Sequence, residues 1–429
     1  MYKLSLGILL LCLYSCSNDS KSIVEHTTPN NMVINTISPE EALKQVHQNT
    51  KSSISIFNHI LQNNEALKEE NILLSPYSIA SAFASLYLGS TGATAQEISE
   101  FFHWSGNTPE FHNAYKNMNT QLQNANAQDG FKMFINNHLW LNTVGGLNLL
   151  PSYEKESQKY YEQSVSALDF TERTNVEKAI NTWINEKTKG KIPFLYKDNL
   201  NEELAAILVN TVYFDGKWQK PFKKELTKKE NFHTIDNKKV SKEFMQASFY
   251  DSAIKYVESE FYTAIQLPYA DEATSLLVIL PKDNYKEFLQ NFSNDHIDAI
   301  LQAEGKEYYS LKVALPKWKT ESDLDILQAM QESSIHTLNN LEVSKMTNAS
   351  LALGQILHKT IIEVDEYKTE AASTTAMEFM LTSSPMPDQP VNLTFRADKP
   401  FFYAIVNKMQ HNTLATNSYN LFFLGQLVK

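Results

Sequence analysis

Cysteine is almost absent from this 429-residue chain, and the only two, Cys12 and Cys16, lie within the first sixteen residues. A disulfide framework, a Cys-ligated zinc and an iron–sulfur cluster are thereby excluded. Glycine is sparse, at 12 residues. None falls in a Gly-x-Gly-x-x-Gly or P-loop spacing, so a dinucleotide fingerprint and a phosphate-cradling loop are both missing. Positive charge is in the minority: 38 Lys and Arg against 49 Asp and Glu give a net charge of −11. A general nucleic-acid binder needs a basic face to displace phosphate counterions, and this balance argues against that class. Beyond residue 16 no apolar run approaches eighteen residues, so no transmembrane helix is expected in the body of the chain. Hydrolase signatures are missing too. Gly89-Ser90-Thr91-Gly92 lacks the nucleophile-elbow spacing. Ser-x-x-Lys occurs at Ser152–Lys155 and Ser252–Lys255, but Lys187-Thr188-Lys189-Gly190 is not the Lys-Thr-Gly triplet such enzymes need. The 11 histidines form no His-Glu-x-x-His and no i,i+4 pair. No catalytic residue, metal or cofactor is expected.

What remains is an ordinary globular composition, 42% apolar and 20% charged, and long enough for a substantial core. Lys3 followed by the apolar run Leu4–Leu13 reads as a secretory signal, covering residues 1–15. Leu13-Tyr14-Ser15-Cys16 resembles a bacterial lipobox, in which the cysteine is lipidated and becomes the mature N-terminus. An ordinary signal with a chance cysteine is the alternative. Ser17, where an aspartate would retain the protein, is similar to an outer-membrane sorting signal. The expectation is an exported protein held by lipid at the outer membrane of a diderm bacterium, facing the periplasm or the cell surface. Ser17 to Thr36 is polar and without period, so residues 16–45 read as lipidated terminus and tether, and 46–429 as the domain.

Along the domain, helix signals come early. Ser38-Pro39-Glu40-Glu41 and Ser75-Pro76 each pair an N-cap hydroxyl with proline at the first helical position. The patterns predict helices over Ser53–Asn63, Tyr77–Gly89 and Asn175–Lys187, with strands at Asn71–Leu74 and Phe131–Leu141. From Leu204 strands dominate: Ala205–Phe214, Thr263–Leu267, Ser275–Pro281, Tyr309–Pro316, Ile356–Val364 and Leu421–Val428. This is an α+β fold with large mixed sheets. Seven lysines between Lys223 and Lys242 are interleaved by Glu225, Glu230, Asp236 and Glu243, which reads as a solvated face rather than a polyanion patch.

One segment breaks the pattern. Glu366 to Thr394 contains no glycine, and its three prolines all fall in its second half. Loops this long are uncommon in compact domains unless functional or disordered. Thr369-Glu370-Ala371-Ala372-Ser373-Thr374-Thr375-Ala376 has small, mostly uncharged side chains and no turn residue. As a strand it would put Thr369, Ala371, Ser373 and Thr375 on one face, all small enough to slide beneath a helix layer. An Ala/Thr-rich exposed loop or a fraying helix is the alternative.

That segment and its surroundings resemble the serpins, inhibitors of serine and cysteine proteases. The resemblance is carried by Asn71-Ile72-Leu73-Leu74-Ser75-Pro76-Tyr77-Ser78-Ile79, Leu88–Thr94, Leu208–Trp218, Leu357-His358-Lys359 through Glu366–Ala372, and Phe395–Phe401, in this order over residues 50–429. It implies a single domain with a large central mixed sheet, further sheets, surrounding helices and a reactive-centre loop at about 366–394. A protease cuts the loop, and the freed half inserts into the sheet while still tethered to the protease as an acyl-enzyme. The resemblance assigns Ser75, Ser78, Asn210 and His358 to a buried polar shutter beneath the sheet and Trp218 to the breach, where the loop begins to enter. Glu366 matches the hinge-start acid. Thr369, Glu370, Ala371 and Ala372 match the hinge, which continues through Ser373, Thr374 and Thr375. The family usually has glycine just before the hinge threonine, where this chain has Lys368. Glycine eases the backbone reversal, so insertion speed depends on this position. Counting from Thr369 places the scissile bond at Thr382-Ser383, with Met380-Leu381 and Leu381-Thr382 as neighbouring registers. The apolar bait Met377, Phe379, Met380, Leu381, with no Arg or Lys nearby, favours elastase-, chymotrypsin- or papain-like targets. A monomer is expected. The alternative is a non-inhibitory serpin-fold surface lipoprotein that acts as a binding protein.

Overall fold

Apolar runs of strand length dominate the second half of the chain, and in the computed structural model they become three sheets. The structure describes residues 38, 52, 54–126, 130–144, 146–162, 164–196, 200–367, 391–408 and 419–429. The described residues all fall within one compact unit, Ile37–Lys429. The proposed signal, Cys16, the tether and the Ser38-Pro39 helix start beyond Ser38 lie outside the described residues, as do Thr369–Thr375 and Met380–Ser383.

The strands, in chain order, are β1 Ile72–Leu74, β2 Phe131–Asn142, β3 Ser164–Leu168, β4 Ala206–Gly216, β5 Lys228–His233, β6 Lys239–Tyr250, β7 Lys255–Glu258, β8 Tyr262–Pro268, β9 Thr274–Pro281, β10 Ser310–Pro316, β11 Trp318–Asp325, β12 Gln355–Val364, β13 Asn392–Arg396, β14 Phe401–Lys408 and β15 Tyr419–Leu427. A six-stranded sheet runs β1-β15-β14-β9-β8-β7, a four-stranded sheet β13-β10-β6-β5, and a five-stranded sheet β11-β12-β4-β2-β3. β9 and β15 are buried along their whole length. With β14 they form the middle of the six-stranded sheet, where nearly every side chain is buried. The helix Pro76–Gly89 is buried on every side, with small residues Ser78, Ala80, Ser81, Ala82, Ala84 and Ser85 letting it sit close beneath the five-stranded sheet. Proline at its first position supplies a fixed φ at no cost in hydrogen bonds.

The helix Arg173–Lys187 covers the opposite face of that sheet. Its apolar stripe Val176, Ile180, Ile184 packs with Val209 and Tyr213 of β4 and Leu357 and Ile361 of β12. The returning segment adds Ile192, Tyr196 and Leu200. Most sequence expectations land within a residue or two of the observed elements. β3, β5, β6, β7, β11, β13 and β14 were not anticipated: β5, β6, β11 and β13 are rich in Lys, Glu, Asn or Asp, β3 and β7 are short, and the apolar run of β14 was readable but missed. β11 nonetheless alternates, with Trp318, Thr320 and Ser322 inward and Lys319, Glu321 and Asp323 outward. The lysine-rich stretch forms the β5–β6 hairpin, where Asp236 pairs with Lys238 at 2.7 Å and Glu230 is taken by Arg396. Lys255 donates to the Leu301 carbonyl at 3.0 Å, so it serves the fold.

Gly425 of β15 lies against Tyr403 and the Ile72 carbonyl: a Cβ there would sit 2.6 Å from the ring and 2.7 Å from the oxygen. Backbone and a packed ring cannot both yield. Gly425→Ala should therefore destabilise the protein by about 1–3 kcal/mol, checked by chemical denaturation. Wild-type stability for this variant would show that β1 and β15 do not meet at this register.

Candidate functional site

The five-stranded sheet is mixed, and its odd feature is at its centre. β12 and β4 run parallel as neighbours, paired from Gln355–Ile207 to Ile361–Tyr213. β12 continues pairing with β11 as far as Val364–Trp318. On the β4 side the ladder stops three residues earlier. The chain leaving β12 therefore does so at the unpaired end of the seam. A strand turned back there and laid between β12 and β4 would run antiparallel to both, exchanging one parallel ladder for two antiparallel ones.

A directed chain of hydrogen bonds crosses this seam on the inner face. His358 and Asn210 are register partners. The Ser75 backbone N–H donates to His358 Nε2 at 2.9 Å. Nε2 must then be the acceptor, which places the imidazole proton on Nδ1, and Nδ1 donates to Asn210 Oδ1 at 2.6 Å. The Asn210 amide donates in turn to Ser78 Oγ and to Asn137 Oδ1, the latter at 2.5 Å. Asn137 donates to Ser81 Oγ at 3.3 Å. All of these groups are buried. The four residues assigned to the shutter are thus brought together, with two that sequence reading missed, Asn137 and Ser81. Asn136-Asn137 in mid-strand was the available signal, since asparagine is depleted in strands. The Ser75 hydroxyl itself has no partner.

The open end of the seam carries a second cluster. The Trp218 indole N–H donates to the Asp365 carbonyl at 2.8 Å, and its ring stacks on Tyr269 at 4.7 Å. Glu366, only 3% exposed, accepts from Thr227 Oγ1 at 2.6 Å and pairs with Lys317 Nζ at 2.9 Å. Its backbone carbonyl accepts from the Phe222 N–H at 3.2 Å. Burial alone would raise the Glu366 carboxyl, but the bonds from Thr227 and Lys317 more than offset it and hold it below its ordinary range. Neither Thr227 nor Lys317 carried a local sequence signal; only the fold brings them to Glu366. Among the described residues no cluster of metal-ligating side chains occurs.

The comparisons agree with this architecture. The model of the family "Serpin (serine protease inhibitor)" matches residues 47–427. A leukocyte elastase inhibitor of Homo sapiens is 29% identical over 394 residues, covering 88% of this chain and 97% of that protein. A serpin-like protein of Methanosarcina acetivorans, described as uncharacterized, is 28% identical over 384 residues, covering 87% of this chain and 88% of its own length. The crystal structure of Serpin48 from the insect Tenebrio molitor superposes with a TM-score of 0.73 at 22% identity, covering 92% of this chain and 100% of that one. The chain belongs to the serpin family, whose members are described as protease inhibitors rather than catalysts.

His358 gives the site a pH signature. Complete burial pulls its imidazole down to about 3, and protonation of Nε2 would set an N–H against the Ser75 N–H. The unfolded chain, titrating near 6.5, then binds the extra proton first. The His358 contribution is complete above about pH 6.5 and is lost as pH falls from there toward 3, at up to about 1.4 kcal/mol per unit. His358→Gln keeps an acceptor for Ser75 but does not titrate. The stability gap between wild type and variant should narrow by that slope on acidification, measured by denaturation from pH 7 to 4. His112 and His138 are also held down to about 3, but both proteins carry them and their terms cancel. A pH-independent gap would contradict the assigned network.

Proposed function

We propose that this protein is a suicide-substrate inhibitor of serine endopeptidases, with papain-like cysteine proteases as a second target class. The observation that carries this reading is the β12–β4 seam: two parallel neighbours, unpaired at the end where the chain departs toward the reactive segment. The protease nucleophile attacks the residue-382 carbonyl, the Ser383 amine leaves, and an ester or thioester joins the protease to the N-terminal side of the loop. That side, anchored at Glu366, then inserts as a strand. From Glu366 to Thr382 is sixteen residue steps, roughly 50 Å of extended chain, so the tethered protease is dragged far from its docking place before water can hydrolyse the acyl bond. Elastase- and chymotrypsin-like enzymes suit the apolar bait. The Ser75–Ser81 network resists opening at the centre of the seam, and the Glu366 cluster holds the hinge until cleavage.

The test is incubation with an elastase-like protease followed by denaturing electrophoresis. A stable complex containing both chains is expected, with cleavage mapped to Thr382-Ser383 or a neighbouring bond. Turnover of the protein as a plain substrate would favour the non-inhibitory binding protein. Position 369 falls on the inward face of the inserted strand, where an unpaired guanidinium is costly to bury. Thr369→Arg should therefore shift the products almost wholly from covalent complex to cleaved monomer. An unchanged ratio would show that the insertion register is wrong.

We place the protein at a membrane surface through a lipid on Cys16, on the strength of the Leu13-Tyr14-Ser15-Cys16 pattern. Cys16→Ala should release it from the membrane fraction, assayed by fractionation, while the rate of protease inhibition stays unchanged. Retention in the membrane fraction would contradict the lipobox reading.

A further inference from the structure

The acids interleaved with the lysines between Lys223 and Lys242 suggest mutual neutralisation, but the structure pairs most of them elsewhere. Glu230 is taken by Arg396, Glu243 lies 3.7 Å from Lys317, and Asp236 answers Lys238. Lys220, Lys223, Lys224, Lys228 and Lys229 are exposed and make no ion pair among the described residues. The backbone that carries them is pinned at intervals. Trp218 and Phe222 are buried, the Phe222 N–H donates to the Glu366 carbonyl, and Thr227 Oγ1 donates to the Glu366 carboxylate. The Leu226 and Thr227 N–H groups close tight turns on the Lys223 and Lys224 carbonyls at 2.9 and 3.0 Å. The lysines between these anchors stand outward as a set, with Glu225 the single acid from Lys217 to Lys229. Leu226 and Tyr367, 42% and 41% exposed, share this surface. Lysines at a sheet edge guard against pairing with another chain, which accounts for Lys228 and Lys229 on the edge strand β5. It does not account for Lys220, Lys223 and Lys224, which lie on no strand, nor for the exposed Leu226 and Tyr367.

We infer that this surface, Lys220 to Lys229 with Tyr367, docks the protein on an anionic bilayer. The lysines meet phosphate headgroups, and Leu226 and Tyr367 enter the interface between them. The inference rests on the membrane location proposed above, though not on the Cys16 lipid itself. The net charge of −11 does not prevent such a contact. Repulsion from distant acids is screened beyond about 8 Å at physiological ionic strength, so the local lysines decide. Basic side chains around exposed apolar ones are what an interfacial contact requires. A soluble polyanion would engage the lysines and leave Leu226 and Tyr367 without a role. The length of chain before the domain also permits this occupant. Thirty-six residue steps separate Cys16 from Ser52, as much as about 120 Å of extended chain. A domain of this length has a radius of gyration of about 21 Å, so a chain held at Cys16 can turn this surface to the bilayer. A lipid and a basic surface reinforce each other, since a single acyl chain binds reversibly and a second signal makes the anchoring stable. Docked in this way, the protein presents the Glu366 end of the seam to the headgroups.

The test uses full-length Cys16→Ala protein, so that no lipid contributes. It is mixed with vesicles of phosphatidylcholine, alone or with an equal part of phosphatidylglycerol, and binding is read by co-sedimentation at low and raised salt. Binding is expected to the anionic vesicles only, and to fall as salt is raised. A lysine near an anionic surface contributes on the order of fivefold, so adding Lys223→Glu/Lys224→Glu should weaken binding by about tenfold or more, with the thermal midpoint unchanged. Adding Leu226→Ser should weaken binding severalfold at both salt concentrations, a loss that charge alone does not produce. Undiminished binding by either variant, equal binding to neutral and anionic vesicles, or binding to neither would overturn the inference. So would capture by polyphosphate without affinity for vesicles, which would make the partner a soluble polyanion. A high-salt wash strips this contact but not a lipid, so Cys16→Ala fractionated after such a wash reports on the anchor alone, and the two membrane readings fail separately.

Discussion

The structure turns on one hydrogen bond across a seam, from His358 Nδ1 to Asn210 Oδ1 at 2.6 Å. Parallel neighbours are usually joined by a crossover of a dozen or more residues. Here β4 and β12 are separated in sequence by strands of both other sheets and by several helices, so the pairing is purely tertiary. Its inner face is polar and its outer face apolar, under the Arg173–Lys187 helix. A buried polar network that is fully satisfied is strong, and one that is partly opened is costly, at about 1–3 kcal/mol for each group left unpaired. This seam therefore resists partial separation more than its final energy would suggest. On the inhibitor reading, an incoming strand of a dozen residues adds backbone bonds at about 0.5–1.5 kcal/mol each, which exceeds the cost of the few side-chain bonds broken. The network then sets the rate of opening, and the ladder sets its direction.

The Glu366 cluster performs the corresponding task at the end of the seam. Thr227 lies immediately before β5 and Lys317 between β10 and β11, so one carboxylate ties the departing chain to two sheets at once. Removing one partner of a buried pair costs more than the pair contributes, because the other charge is left without compensation. Glu366 is thus fastened to both sheets; on the inhibitor reading, this holds the departing segment in place until the chain is cut.

Much of this was legible from residues. Continuous apolar runs such as Ser275–Pro281 and Leu421–Val428 marked the buried strands, and Ser75-Pro76 marked the helix beneath the seam to within a residue. Among the strands that escaped notice, β14 was readable as an apolar run, whereas the charged ones owe their position to partners. β5 and β6 pair through charged side chains, and β13 reads as loop until β10 receives it. Parallel pairing of β4 with β12 had no local signal, because register between residues 148 positions apart is set by the surrounding core. The same holds for Thr227 and Lys317. Asn137 was readable in principle, as a polar residue in a strand with no turn around it.

The central claim is that the native sheet is one strand short of its most stable form. Thermal unfolding of intact protein and of protein nicked once between Thr375 and Ser384, with both fragments retained, tests it most directly. A nick ordinarily increases the entropy of the unfolded chain and lowers the midpoint. If the freed segment joins β4 and β12, the nicked protein should instead melt well above the intact one, by the several kcal/mol that a new central strand supplies. An equal or lower midpoint would contradict the account.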